Sequence, residues 1–200
     1  MSERGEVEVT TAASELPVSL SEIKAHLHIS DEAHDDYLSA LISVCTSHTE
    51  DWTNRKWMNQ TVTWYVDKWD TVKDGHIELP VGKVTAINSV KYKNEAGTLT
   101  TWDSSEYETD LVSLPARLKV KPDYSWPSLE SGTMNRVQIE MVVGYATASA
   151  VPKAVKQAIM LLGAHYFENR EAVYAGGGPV QGVPMTVDYL LHPYRILFMR

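Results

Sequence analysis

The stretch that most constrains this chain is Val151 to Ala172, VPKAVKQAIMLLGAHYFENREA. Pro152 stands where a helix tolerates proline, at its first turn, and no breaker follows before Gly176. Val155, Ile159, Leu162 and Tyr166 recur at helical spacing and make one apolar stripe. Met160, Gly163, Ala164 and Phe167 make a second, well round the cylinder. A helix about 30 Å long that is apolar on two faces has two surfaces to cover. One is its own domain. The other is either more of the same core or a neighbouring copy of the chain.

Two helices are expected ahead of it. Ser19 followed by Glu22 is a capping box that opens a short helix through Leu20, Ile23 and Leu27. From Asp35 to Trp52, Leu38, Leu41, Ile42, Cys45, Thr49 and Trp52 keep one face, and the helix should stop near Asn54. Beyond Lys56 the period falls to two. Gln60–Trp69, His76–Leu79, Val84–Lys93, Thr98–Trp102 and Arg136–Tyr145 read as strands, with weaker candidates at Tyr107–Asp110 and Leu118–Val120. Helices and strands are thus segregated, which predicts an α+β fold. The expectation is a small helical core, two N-terminal helices plus one long C-terminal helix, with an inserted antiparallel β-rich region of about six short strands. The insertion spans about residues 60–145 of a single domain at 17–172.

Both ends read differently. Residues 1–16 lack periodicity and are expected as a flexible arm. Val173 to Pro184, VYAGGGPVQGVP, holds four glycines and two prolines and reads as a tether. Within 173–200 it leads to an apolar peptide containing Leu190, Leu191, Ile196, Leu197 and Phe198. That peptide either folds back on its own domain or docks into a partner.

Little in the sequence points to catalysis. Among the motifs missing are G-x-S-x-G, a P-loop, G-x-G-x-x-G and H-E-x-x-H. His26 and His28 are two apart and face different ways on a helix; His34 and His48 have no ligand-spaced Cys or carboxylate beside them. His165 lies three residues before Glu168, the arrangement of an ordinary hydrogen-bonded flank histidine. Cys45 with His48 has the spacing of a nucleophile and base, but Cys45 falls on the buried stripe. It is also the only cysteine, so no intrachain disulfide forms. Trp52, Trp57, Trp64 and Trp69 are better read as core and sheet packing than as base-stacking platforms, given how few cations surround them. We expect no enzyme, metal or cofactor. With 18 basic against 26 acidic residues the net charge is −8, which repels nucleic-acid backbone but suits a surface that DNA slides past. No apolar run approaches the roughly 18 residues of a membrane span. MSERGEVEVTTAASEL at the start is polar and acidic, unlike a signal peptide.

Several pieces, in this order, resemble the head–tail connector (adaptor) proteins of long-tailed bacteriophages, over roughly residues 16 to 196. They are PVSLSEIKAHLHI, DEAHDDYLSALISVCTSHTEDWTNRKW, QTVTWYVDKW, IELPVGKVTAINSVKY, VGYATASAVPKAVKQAIMLLGAHYFENREAV and LLHPYRI. The resemblance implies a virion neck protein, made in the bacterial host cytoplasm. It would assemble as a ring, expected dodecameric, beneath the portal. The ring extends the channel for packaged DNA without specific binding, and offers a platform to the downstream connector or tail protein. Portal binding would then fall to Leu190, Leu191, Tyr194, Arg195, Ile196, Leu197 and Phe198, and contact between subunits to Met160, Gly163, Ala164, Phe167, Arg170 and Glu171. A tail-completion or stopper protein of the same connector is the alternative. A cytosolic enzyme or regulator is the rival from another class, and would need a pocket of convergent titratable groups.

Overall fold

The computed structural model describes residues 5–69, 71, 74–170 and 185–197. The fold is α+β. Among the described residues four helices form: α1 (Leu20–Leu27), α2 (Asp35–Thr53), α3 (Lys153–Glu168) and α4 (Met185–Leu191). The strands are β1 (Glu6–Thr11), β2 (Gln60–Val66), β3 (His76–Glu78), β4 (Val84–Lys93), β5 (Leu99–Thr101), β6 (Tyr107–Asp110), β7 (Arg117–Val120) and β8 (Val137–Val143). They make a five-stranded sheet in the order β1-β2-β8-β4-β5 and a three-stranded sheet in the order β3-β7-β6. All ladder pairings are antiparallel.

The chain divides into two compact units, where one domain is expected. The β unit takes the described residues of Met1–Ser14, Asn59–Gly144 and Ile196–Arg200; the helical unit takes Glu15–Met58 and Tyr145–Arg195. The β unit is therefore an insertion between α2 and α3. Its two ends leave and re-enter the helical unit side by side. Tyr145 N–H donates to the Trp57 carbonyl at 3.1 Å, and Met58 bridges Tyr145 in parallel. Adjacent ends are what let a host domain tolerate an insertion.

In the β unit, β8 shows how the pattern makes the core. Val137, Ile139, Met141 and Val143 are buried, while Gln138, Glu140 and Val142 between them are not. Trp64 and Val62 on β2 and Val90 on β4 face the same core, with Ile77 and Leu118 from the three-stranded sheet. Burial of each large side chain contributes roughly 1.5–3 kcal/mol relative to exposure. At one edge Trp69, Trp102 and Trp126 cluster with centroids 5.1–5.5 Å apart. Trp69 and Trp102 both satisfy their indole N–H, on the Pro127 carbonyl and the Glu106 carboxylate.

Glu6–Thr11 corrects the flexible-arm expectation. It pairs along β2 from Glu6↔Tyr65 to Thr11↔Thr61 and forms the sheet edge. Its sequence, EVEVTT, does alternate, but with too few apolar residues to stand out from a disordered arm. Gly5 allows the approach: its φ is +69°, and a Cβ there would lie 1.9 Å from the Tyr65 carbonyl oxygen.

In the helical unit the capping box forms as expected. Glu22 N–H donates to Ser19 Oγ at 3.2 Å and Ser19 N–H to Glu22 Oε2 at 2.8 Å. The same Glu22 accepts from Lys156 at 2.5 Å, and Lys24 bonds Asp35 at 2.6 Å, so α1 is tied to α3 and α2. Asn54, left-handed at φ 55°, ends α2, and Glu50 then folds back on the following turn. Its buried carboxylate accepts from Trp57 N–H at 2.9 Å and from Lys56 at 2.8 Å. Helix α3 packs against α1 and α2 and also against α4. It stops at Glu168, earlier than its periodicity suggests, where Asn169 bonds the His165 carbonyl through its N–H and its side-chain amide. Gly163 is a close approach. A Cβ there would lie 2.8 Å from Ile23 Cδ1 and 4.0 Å from Cys45 Sγ.

Two outcomes follow for this packing. Gly163→Leu should destabilise by about 1–3 kcal/mol through overpacking in urea unfolding. Gly163→Ala should be near neutral, because about 1 kcal/mol of helix propensity offsets moving the Ile23 methyl. Burial pushes the Cys45 thiol up to about 12. Folding favours its protonated form, so that contribution is complete below the unfolded thiol value of about 8.5 and fades as pH rises from there. A thiol reagent at pH 8 should leave the native protein untouched and label one cysteine after unfolding; rapid native labelling would place Cys45 at the surface.

Candidate functional site

The residues weighed for catalysis are dispersed. Cys45 is fully buried on α2 while His48 is exposed, so they do not form a nucleophile–base pair. His28 caps α1 in the left-handed region at φ 58°. His34 turns its ring edge toward Phe167, with centroids 5.3 Å apart, and His165 lies beside Tyr166 at 5.8 Å. Among the described residues no three His, Cys, Asp or Glu converge to hold a metal. Gly176–Gly178 lie outside the described residues.

The tryptophans divide by role. Trp57 and Trp64 are buried core. Trp69 belongs to the aromatic edge of the β unit. Trp52 instead receives the C-terminal segment, with the Arg195 guanidinium 4.8 Å above its ring.

That segment is the main revision to the sequence reading. Met185–Leu191 is a helix, and His192–Tyr194 continues it as a 3-10 turn. Val187, Leu191 and Ile196 are all buried. Tyr194 meets Trp57 edge-on at 6.2 Å and lies under the Arg55 guanidinium, 5.9 Å from Cζ to ring centroid. Arg55 is itself buried, with its Nε lacking a hydrogen-bond partner, and burial lowers its pKa against the pull of Tyr145 and Tyr194. A buried guanidinium needs such neighbours, and Tyr194 supplies a polarisable face. Leu191, Tyr194, Arg195 and Ile196, expected as docking residues, are therefore engaged within this chain. Leu190 is partly exposed, and Tyr189 and Leu197 are 72% and 63% exposed. Phe198 lies outside the described residues. The signal for this fold-back was present in the heptapeptide MTVDYLL, where Val187 and Leu191 are four apart on one helix face.

The α3 residues expected between subunits also divide. Gly163 faces α1 and α2 of its own unit. Phe167 packs on His34 and on Tyr37, 6.1 Å away, and Arg170 lies over both Tyr37 and Phe167 at 4.7 and 4.8 Å. These contacts hold the end of α3 to the start of α2. Met160 and Ala164 keep partial exposure, and Glu171 lies outside the described residues.

The exposed apolar side chains are a better guide to a binding surface. Among the described residues of the helical unit they are Leu16 ahead of α1, Tyr37 and Val44 on α2, and Tyr189 on α4; in the β unit they include Val112 and Leu114. Of these, Tyr37 is partly committed to Phe167 and Arg170. Exposed groups of this kind mark interaction surfaces when they sit together on one face.

No curated protein matches the chain by sequence. Three solved structures share its fold over nearly its whole length. One is a chain from the neck of an empty GTA particle computed with C6 symmetry, at TM-score 0.79 and 21% identity, covering 98% of this chain and 97% of that one. Another comes from the virion of a native gene transfer agent (GTA) particle, at TM-score 0.78 and 20% identity, covering 97% of each. A third, from the neck of a native GTA particle computed with C12 symmetry, has TM-score 0.72 and 22% identity over 98% and 97%. Residues 17–115, from the approach to α1 through β6 into the loop beyond, match the family of phage gp6-like head-tail connector proteins. Over that span the order of capping box, α2 and insertion strands is the one quoted above for connectors, so the motifs and the match to the gp6-like head–tail connector family agree.

Proposed function

We propose that the chain is a structural subunit of a phage-type neck: an adaptor that forms a ring beneath the portal, lengthens the DNA channel and carries the next connector or tail protein. One observation carries this reading. The fold agrees with neck chains over 97–98% of both lengths, so the whole chain is accounted for, beyond the family-matched residues. The necks computed with C6 and C12 symmetry favour a ring, and twelve copies is the expected number. Its work is binding, not catalysis.

Charge and surface chemistry support the reading. A net charge of −8 keeps DNA from adhering to a wall it has to slide along. The portal contact is assigned to the free side of the C-terminal helix, with Tyr189 and Leu190, while Leu191, Tyr194 and Arg195 hold that helix in place. The partly exposed Met160 and Ala164 on α3 remain in the contact with a neighbouring subunit.

Co-expressed with its cognate portal protein, the chain should co-purify as a complex whose native mass gives twelve copies; recovery of the portal alone would overturn the reading. Tyr189→Asp should leave the urea midpoint within about 0.5 kcal/mol of the parent, as surface changes do, yet weaken portal capture at least tenfold. Removing Met185–Arg200 should instead destabilise the fold, because Val187, Leu191 and Ile196 leave the core with it.

A further inference from the structure

We infer that the loop from Leu111 to Ala116 is an apolar finger by which one copy of this chain seats on the outward stripe of α2 in the next copy. The inference rests on the ring reading and names its contact. Val112, at the tip, is 94% exposed and Leu114 is 50% exposed. Leu111 packs on the β core and anchors the base.

The finger is held stiff. Asp110 Oδ1 accepts from the backbone N–H groups of Val112 and Ser113, both at 3.0 Å. Asp110 Oδ2 accepts from Ser113 Oγ at 2.6 Å and from Arg117 Nη2 at 2.7 Å. Arg117 Nη2 also donates to Ser113 Oγ at 2.6 Å. A loop fixed before contact loses little conformational entropy on docking. These bonds hold the Asp110 carboxyl well below the usual range, Ser113 first and Arg117 after it.

The seat is on the same chain. Tyr37, Ala40, Val44 and Ser47 recur at i, i+3, i+7 and i+10 on α2, and all four are exposed. The four side chains are uncharged, Arg170 lies over the Tyr37 ring at one end, and Val44 is 56% exposed. Copies bearing −8 each repel one another unless they meet through neutral surfaces. Both surfaces qualify: Ala40, Val44 and Ser47 bear no charge, and Asp110 is already paired with Arg117. Finger and seat are different surfaces, so the contact is head-to-tail, the kind that a rotation closes into a ring.

The full chain offers a clean test, because its one native thiol, Cys45, is buried. Val44→Cys and Val112→Cys are combined in one chain, assembled with the portal protein, oxidised and run on a non-reducing gel. A ladder of linked multimers extending beyond the dimer is expected, with no ladder from either single variant. Dimers from Val112→Cys alone would mean a two-fold contact and overturn the inference. So would an unlinked double variant whose complex still holds the parent copy number, which leaves the ring reading standing. Failure of the parent chain to join a ring removes that reading and the inference with it. As a second measure, Val112→Asp should keep the parent unfolding midpoint and raise the concentration needed for assembly at least tenfold; unchanged assembly counts against the finger.

Discussion

The helical unit depends on how closely α3 approaches α1 and α2 at Gly163. With no Cβ there, the Ile23 methyl occupies the space a side chain would need, and Cys45 closes the other side. With α3 at that distance, Val155, Ile159 and Leu162 are buried, and the helix still has a face left for α4. The ion pairs of Glu22 with Lys156 and Asp35 with Lys24 fix orientation at the rim. Such surface pairs contribute only about 0–1 kcal/mol each, so packing decides the arrangement and charge refines it.

The same economy explains the C-terminal segment. Its helix is too short to be stable alone, and it persists because Val187 and Leu191 enter the core while Tyr194 and Arg195 find Trp57, Arg55 and Trp52. The seven residues of α4 thus have one side committed to folding and one side exposed.

Much of the fold is legible in the sequence. The Ser19–Glu22 pair specifies the start of α1, Asn54 the end of α2, and the alternation of Val137, Ile139, Met141 and Val143 a half-buried strand. Each signal is local: a cap, a left-handed terminus, a period. What escaped is non-local. β1 is a strand because β2, some fifty residues further on, offers it an edge that Gly5 lets it approach closely. Gly163 and Phe167 look like an outward stripe on a helical wheel, yet the wheel has no knowledge of where α1 and α2 lie. The finger at Val112 was missed because a single valine in a polar loop carries no period.

Taken alone, the sequence determined the elements, their segregation into helices and inserted strands, the acidic balance and the absence of a catalytic motif, since these follow from composition and short-range spacing. Only the tertiary structure decided which apolar faces are spent on the chain's own core. Covering a face requires a second surface brought in from far along the chain, and which surface arrives is a property of the packed whole. That is why Leu191 and Ile196 turned inward while Tyr189, Val44 and Val112 stayed exposed.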